Sequence, residues 1–202
     1  IAGMSRKALR RRMNARHANI RRRSTSFSAR ISKDRTRTKG FHPEEVLFSP
    51  TTDCNLSCGH CGGPVARKRL SVKDAGRFLL ECGKLGVRRV GFTGGEPFLA
   101  LDFLCELTRK AVREGFLFDR IMTNAGWWRG EDDLKSALDR LHDARYDGSI
   151  CVSVDAFHAQ SVAKVARFIE MAARIWRRPD IVSIAYTHGA KDIETKEKLT
   201  AL

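Results

Sequence analysis

The sequence predicts an α/β fold built on a parallel sheet, and three observations carry that expectation. From about Val46 onward, short β-rich runs alternate with stretches whose apolar residues recur at helical spacing, the pattern of repeated strand–helix units. Each β-rich run ends in glycines or polar residues, which gathers chemistry-bearing side chains at one sheet edge. The 159 residues from Glu44 onward hold about five units at roughly 31 residues per unit. That is too short for a closed eight-unit barrel, and a doubly wound sheet shares the same alternation.

The first strand is expected over Val46–Thr51. A helix then starts at Ser71, with Asp74 three residues on in an N-cap pattern; Ala75, Phe78, Leu79, Cys82 and Leu85 recur along it, and Gly86 ends it. The second strand is Arg89–Thr93, followed by an apolar helical face of Phe103, Leu104, Leu107 and Ala111 that closes at Gly115. The third is Asp119–Thr123, and its helix carries Leu134, Ala137, Leu138, Leu141 and Ala144. The fourth is Ile150–Asp155, followed by a long helix bearing Val162, Val165, Ala166, Ile169, Ala173 and Trp176. Arg177 and Arg178 suit its negative end and Pro179 stops it. A fifth strand over Ile181–Tyr186 and a polar helix from about Asp192 complete the pattern.

Charge divides the protein in two. The net charge is +15, yet residues 1–40 hold 14 Lys/Arg against one acid, Asp34, while residues 41–202 hold 24 basic and 22 acidic side chains. A segment so basic and so poor in apolar residues cannot bury enough surface to offset its ordering entropy, so residues 1–40 read as a disordered or partly helical arm. Such an arm suits a nucleic-acid backbone, an acidic peptide, or an organelle-targeting signal. No apolar run approaches the ~18 residues of a membrane span, which excludes an integral helical membrane protein.

Of six cysteines, Cys54, Cys58 and Cys61 fall within eight positions, spaced C-x3-C-x2-C directly after the first strand. That crowding points to metal chemistry in a reducing compartment, the cytoplasm, rather than to disulfides. Three thiolates on one loop can hold three irons of a cubane cluster and leave the fourth open. A structural zinc site, with Cys58 and Cys61 joined by His60 or His42, is the competing reading, although a second C-x2-C half is lacking. Cys82, Cys105 and Cys151 are widely spaced on apolar faces and read as core residues.

The other strand ends add to this edge. Gly94-Gly95-Glu96-Pro97 follows the second strand: the glycines permit a bend, the proline fixes its exit, and Glu96 is placed to meet a cation. Thr123-Asn124 ends the third strand, and Ser153-Val154-Asp155 with His158 ends the fourth. His158, Trp127 and Trp128 are candidate substrate-pocket residues.

These residues together resemble the radical S-adenosylmethionine (SAM) enzyme superfamily. C-x3-C-x-Φ-C, with Φ usually aromatic, is that family's signature and has His60 at Φ here; Gly94-Gly95-Glu96-Pro97 is similar to its methionine-binding motif. The resemblance spans about Glu44 to Tyr186 and leaves out residues 1–40. It implies a partial (β/α) barrel of about five to six units, open on one side, over residues 41–202. Against the family pattern the barrel is expected to be truncated at its C-terminal end.

It further implies that Cys54, Cys58 and Cys61 ligate a [4Fe-4S] cluster whose fourth iron chelates SAM. Gly94, Gly95, Glu96 and Pro97 would hold the methionine ammonium. His60 would lie by adenine, and Ser153, Asp155 and Asn124 would bind on the ribose or carboxylate side. The implied activity is reductive SAM cleavage to a 5′-deoxyadenosyl radical that abstracts hydrogen from a substrate, with electrons from an external donor. A peptide substrate is expected, with RNA as the rival through the basic arm. A non-catalytic nucleic-acid-binding module on a degenerate barrel is the alternative of a different class.

Overall fold

A computed structural model describes residues 42–62, 67–158 and 160–187. The N-terminal arm and the polar helix expected from Asp192 lie outside these residues. Five strands form, β1 (Glu45–Phe48), β2 (Arg89–Phe92), β3 (Leu117–Thr123), β4 (Ser149–Ser153) and β5 (Val182–Ala185). Between them run α1 (Val72–Lys84), α2 (Leu101–Arg113), α3 (Glu131–Asp143) and α4 (Val162–Trp176). Every neighbouring pair of strands is parallel, and the spatial order is β1-β2-β3-β4-β5.

That order decides between the two architectures the alternation allowed. A doubly wound sheet reverses its strand order at a switch point and places helices on both faces. Here the order never reverses, and α1 packs on α2, α2 on α3 and α3 on α4, so the helices line one face. The strands and helices wind as an open part of a (β/α) barrel.

Local chemistry sets the helix ends. The Ser71 hydroxyl accepts the Asp74 N–H at the start of α1, and Ser161 does the same for Lys164 at the start of α4. Glu131, Asp132 and Asp133 fill the first turn of α3, where negative charge meets the positive end of the helix dipole. Gly86 and Gly115 leave α1 and α2 at positive φ (98° and 77°).

Strand pairing sets Phe48 beside Phe92, Phe92 beside Ile121, Ile121 beside Ile150 and Ile150 beside Val182, with a register shift in β2 between Val90 and Phe92. Phe92, Leu104, Leu107, Ile121, Leu138 and Phe168 are fully buried. Burial of each such side chain is worth about 1.5–3 kcal/mol, which holds the helices against the strands.

Two expectations about the helices are corrected. Phe78 and Leu85 are 57% and 79% exposed, because α1 turns Ala75, Gly76, Leu79 and Cys82 inward. Phe78 instead meets Phe48 edge-on at 6.2 Å. In α4 the buried line is Val165, Phe168, Met171, Ala172 and Trp176; Ile169 and Ala173 flank it. Cys82, Cys105 and Cys151 are buried.

Candidate functional site

The loop after β1 carries the three cysteines, and its two ends are clasped together. Thr51 and Arg69 form an antiparallel bridge, the Thr52 N–H donates to the Lys68 carbonyl (3.0 Å), and Leu70 N–H donates to the Pro50 carbonyl (2.9 Å). Lys68 N–H returns a bond to the Thr52 hydroxyl (2.8 Å), and Arg69 pairs with Asp53 (3.2 Å). Within this neck, Cys61 N–H closes a turn onto the Cys58 carbonyl (3.1 Å). Cys54 and Cys61 are exposed and Cys58 is half-buried.

The Gly94–Pro97 bend lies directly against this neck. Gly94 adopts φ +131°, a region that favours glycine, and a Cβ there would sit 2.6 Å from the Thr51 carbonyl oxygen. At Gly95 a Cβ would come within 2.2 Å of the Asp53 carbonyl oxygen. Freed of side chains, the two backbones bond: Gly95 N–H to Thr51 O (2.9 Å) and Glu96 N–H to Asp53 O (2.7 Å). The bend thereby fixes the residue just before Cys54.

Glu96 takes a different position from the one its charge suggested. It is fully buried, and its carboxylate accepts the Phe98 N–H (3.1 Å), the Thr123 hydroxyl (2.8 Å) and the Asn124 N–H (2.8 Å). Burial raises the carboxyl to about 7, opposed by these three bonds. Glu96 thus straps the β2 loop to the end of β3 and presents no free charge at the surface.

Asn124 is the meeting point. Its Oδ1 accepts the Gly126 N–H (2.8 Å), and its Nδ2 donates to Asn55 Oδ1 (2.9 Å) and to the Cys54 sulfur (3.7 Å). Its carbonyl accepts Gln160 Nε2 (2.8 Å), which also reaches the Ser153 carbonyl (2.6 Å). The ends of β3 and β4 and the cysteine loop are therefore joined through two side-chain amides that meet at Asn124.

At the end of β4, the Asp155 side chain is 1% exposed. Its Oδ1 accepts Phe157 N–H (2.9 Å) and His158 N–H (3.1 Å) and lies 2.7 Å from His158 Nδ1; Oδ2 is buried with no hydrogen-bond partner among the described residues. Burial pushes the Asp155 carboxyl up, but the His158 hydrogen bond and charge outweigh it and hold it below its usual value. The His60 ring lies edge-on to Phe157 (5.1 Å) and to His158 (5.0 Å), so the cysteine loop leans on the β4 end.

All the residues expected at the site therefore fall at the C-terminal edge of the sheet. The two tryptophans are held in packing contacts. Trp128 is 7% exposed, donates its indole N–H to the Ala125 carbonyl (2.8 Å) and lies under Lys164 (4.6 Å). Trp127 stacks on Phe98 (4.7 Å, 8°). Both serve packing, because the turn after β3, with Ala125 at φ 53°, drives them inward. Sequence reasoning missed Gln160, Phe157 and the Asp53–Arg69 clasp; a polar Gln just before a helix cap carries no signal of its own.

Whether these residues fit an iron–sulfur cluster depends on the donor set. Among the described residues no three His, Cys, Asp or Glu side chains stand in metal-holding geometry, so the sulfurs must close in. Room exists, since a Cβ at Gly59 or Gly62 would meet nothing within 4 Å. The chemistry fits: three soft thiols share one loop, and the Leu56 N–H (3.4 Å) and the Asn124 amide already point at the Cys54 sulfur. The Cys58 thiol is raised by burial and then by its neighbours Cys54 and Cys61.

Comparison with known proteins identifies the family. The family model described as the Radical SAM superfamily matches residues 48–192. A probable GTP 3′,8-cyclase of Methanopyrus kandleri is 40% identical over 88 residues, 42% of this chain and 28% of that protein. A PqqA peptide cyclase of Rhodopseudomonas palustris is 38% identical over 87 residues, 41% of this chain and 22% of its own length. The matched stretch is thus about a quarter of either relative. Streptococcus suis SuiB bound to S-adenosylmethionine aligns with a TM-score of 0.46 at 17% identity, covering 79% of this chain and 43% of SuiB.

Proposed function

The protein belongs to the radical SAM superfamily, and from that premise we propose that Cys54, Cys58 and Cys61 hold a [4Fe-4S] cluster beside a SAM site. The observation that carries this reading is the joining of the cysteine loop, the Gly94–Pro97 bend and the ends of β3 and β4 at one sheet edge. When bound, the cluster and SAM supply reductive cleavage to a hydrogen-abstracting 5′-deoxyadenosyl radical, with the electron drawn from an external donor.

The protein's part is placement. The Gly94–Gly95 backbone is open to the methionine ammonium, and Glu96 holds that bend from behind. Asp155 Oδ2, buried and unpartnered among the described residues, suits a ribose hydroxyl, with Ser153 beside it. His60, braced by Phe157 and His158, forms the adenine side.

The substrate in this reading is a peptide. PqqA peptide cyclases recur among the relatives, in Bradyrhizobium diazoefficiens and Methylorubrum populi as well. Residues 1–40, with 14 Lys/Arg against one acid, supply the charge to hold an acidic leader. No helix among the described residues is long and apolar enough to cross a membrane. Anaerobic reconstitution with iron and sulfide, followed by reductant and SAM, should yield a brown protein that forms 5′-deoxyadenosine. A colourless protein holding zinc overturns the reading. Deleting residues 1–40 should spare SAM cleavage and abolish capture of an acidic peptide; loss of RNA binding instead favours an RNA substrate.

A further inference from the structure

We propose that Asn124 is a positioning residue that donates a hydrogen bond to the Cys54 sulfur and thereby sets the reduction potential and the iron retention of the cluster. This rests on the cluster reading above and gives Asn124 a role other than contact with SAM.

The direction of the amide is fixed by its surroundings. The Gly126 N–H donates to Oδ1 at 2.8 Å, so the oxygen must face Gly126. The Nδ2 group is left to face the cysteine loop, where one bond runs to Asn55 Oδ1 (2.9 Å) and the other contact is the Cys54 sulfur at 3.7 Å. A flipped amide would set oxygen against the Asn55 oxygen and lose three interactions at once.

The backbone of Asn124 is held equally firmly. Its N–H donates to Glu96 Oε2 (2.8 Å), its carbonyl accepts Gln160 Nε2 (2.8 Å), and the side chain is buried. A donor so fixed does not follow the sulfur; the sulfur must come to it.

A hydrogen bond to a ligating sulfur withdraws electron density and favours the reduced cluster. Removing it makes reduction harder, and the sulfur loses the contact that holds it in place for the metal. Cys54 is the cysteine best suited to this control, because the loop is anchored just before it by the Glu96 N–H bond to the Asp53 carbonyl (2.7 Å).

The test compares the reconstituted full-length protein with Asn124→Asp and Asn124→Ser. Asp keeps an oxygen for the Gly126 N–H but replaces the donor with a negative charge. Ser keeps a short acceptor for the same turn and cannot reach the sulfur. Circular dichroism and melting temperature check that each variant folds.

The readouts are the midpoint potential, from a redox titration followed by electron paramagnetic resonance, and the transfer of iron to a competing chelator. Both variants should titrate at more negative potential, Asp more than Ser, and iron affinity should fall about 10- to 100-fold. A wild type that takes up no iron overturns the cluster reading and this proposal with it. A wild type that takes up iron but matches a folded Asp or Ser variant in potential and iron transfer overturns the Asn124 proposal alone.

Discussion

Thr123 donates its hydroxyl to the Glu96 carboxylate at 2.8 Å, with both side chains buried, so the ends of β2 and β3 are held together by a titratable group removed from water. The pair has consequences for pH and for loop placement.

Burial raises the Glu96 carboxyl from 4.5 to about 7. The folded protein therefore binds this proton more tightly than the unfolded state does. The associated stability is full below about pH 4.5 and is lost as pH rises through about 7, on the order of 3 kcal/mol in total. Glu96→Gln removes this dependence but sets an amide N–H against the Asn124 N–H, so the slopes decide and not the absolute values. Melting temperatures from about pH 5 to about pH 8 should fall more steeply for the wild type than for Glu96→Gln. Parallel curves would sink the prediction.

Gly95→Ala places a methyl 2.2 Å from the Asp53 carbonyl oxygen, a backbone atom that cannot swing aside. The neck of the cysteine loop must shift. Stability should drop by about 1–3 kcal/mol in chemical denaturation. Iron uptake should fall alongside it.

Cys58→Ala should abolish both the brown colour and 5′-deoxyadenosine formation, because a three-thiol site has no spare ligand. Cys105 is 1% exposed on α2, far in sequence from the loop. Cys105→Ala should keep colour and cleavage and cost about 1 kcal/mol in unfolding free energy. Colour lost in Cys105→Ala at unchanged fold would contradict this division of the cysteines.

Trp128→Ala should behave as a core truncation. Its indole N–H bonds Ala125 O and its ring is nearly enclosed. About 3–5 kcal/mol of stability should be lost. A variant of wild-type stability with weakened substrate binding would restore the pocket role that the sequence suggested.

The fold was legible because strand–helix alternation leaves a mark at every position, and the cap at Ser71 marks where α1 begins, whereas the matching cap at Ser161 emerged only from the structure. The winding was not legible, since a sequential and a reversed strand order share one pattern. At the site, Gly94-Gly95 declared a close backbone approach, and the cysteine spacing declared a ligand loop. The direction of Glu96 stayed hidden: residue type gives charge, but three donors from Phe98, Thr123 and Asn124 decide where that charge points. In α4, Val162, Ile169 and Ala173 are apolar like their neighbours, so periodicity alone could not select the line through Phe168 and Met171.

The antiparallel bridge between Thr51 and Arg69 joins the two ends of the cysteine loop independently of any ligand. Closing a loop costs entropy once, and the bridge has already met that cost during folding of the sheet edge. A ligand held by the cysteines would act on a loop whose two ends are already joined, leaving the sheet untouched. On the cluster reading proposed above, gain or loss of the metal should leave the sheet folded, as a sprung catch opens without moving the door.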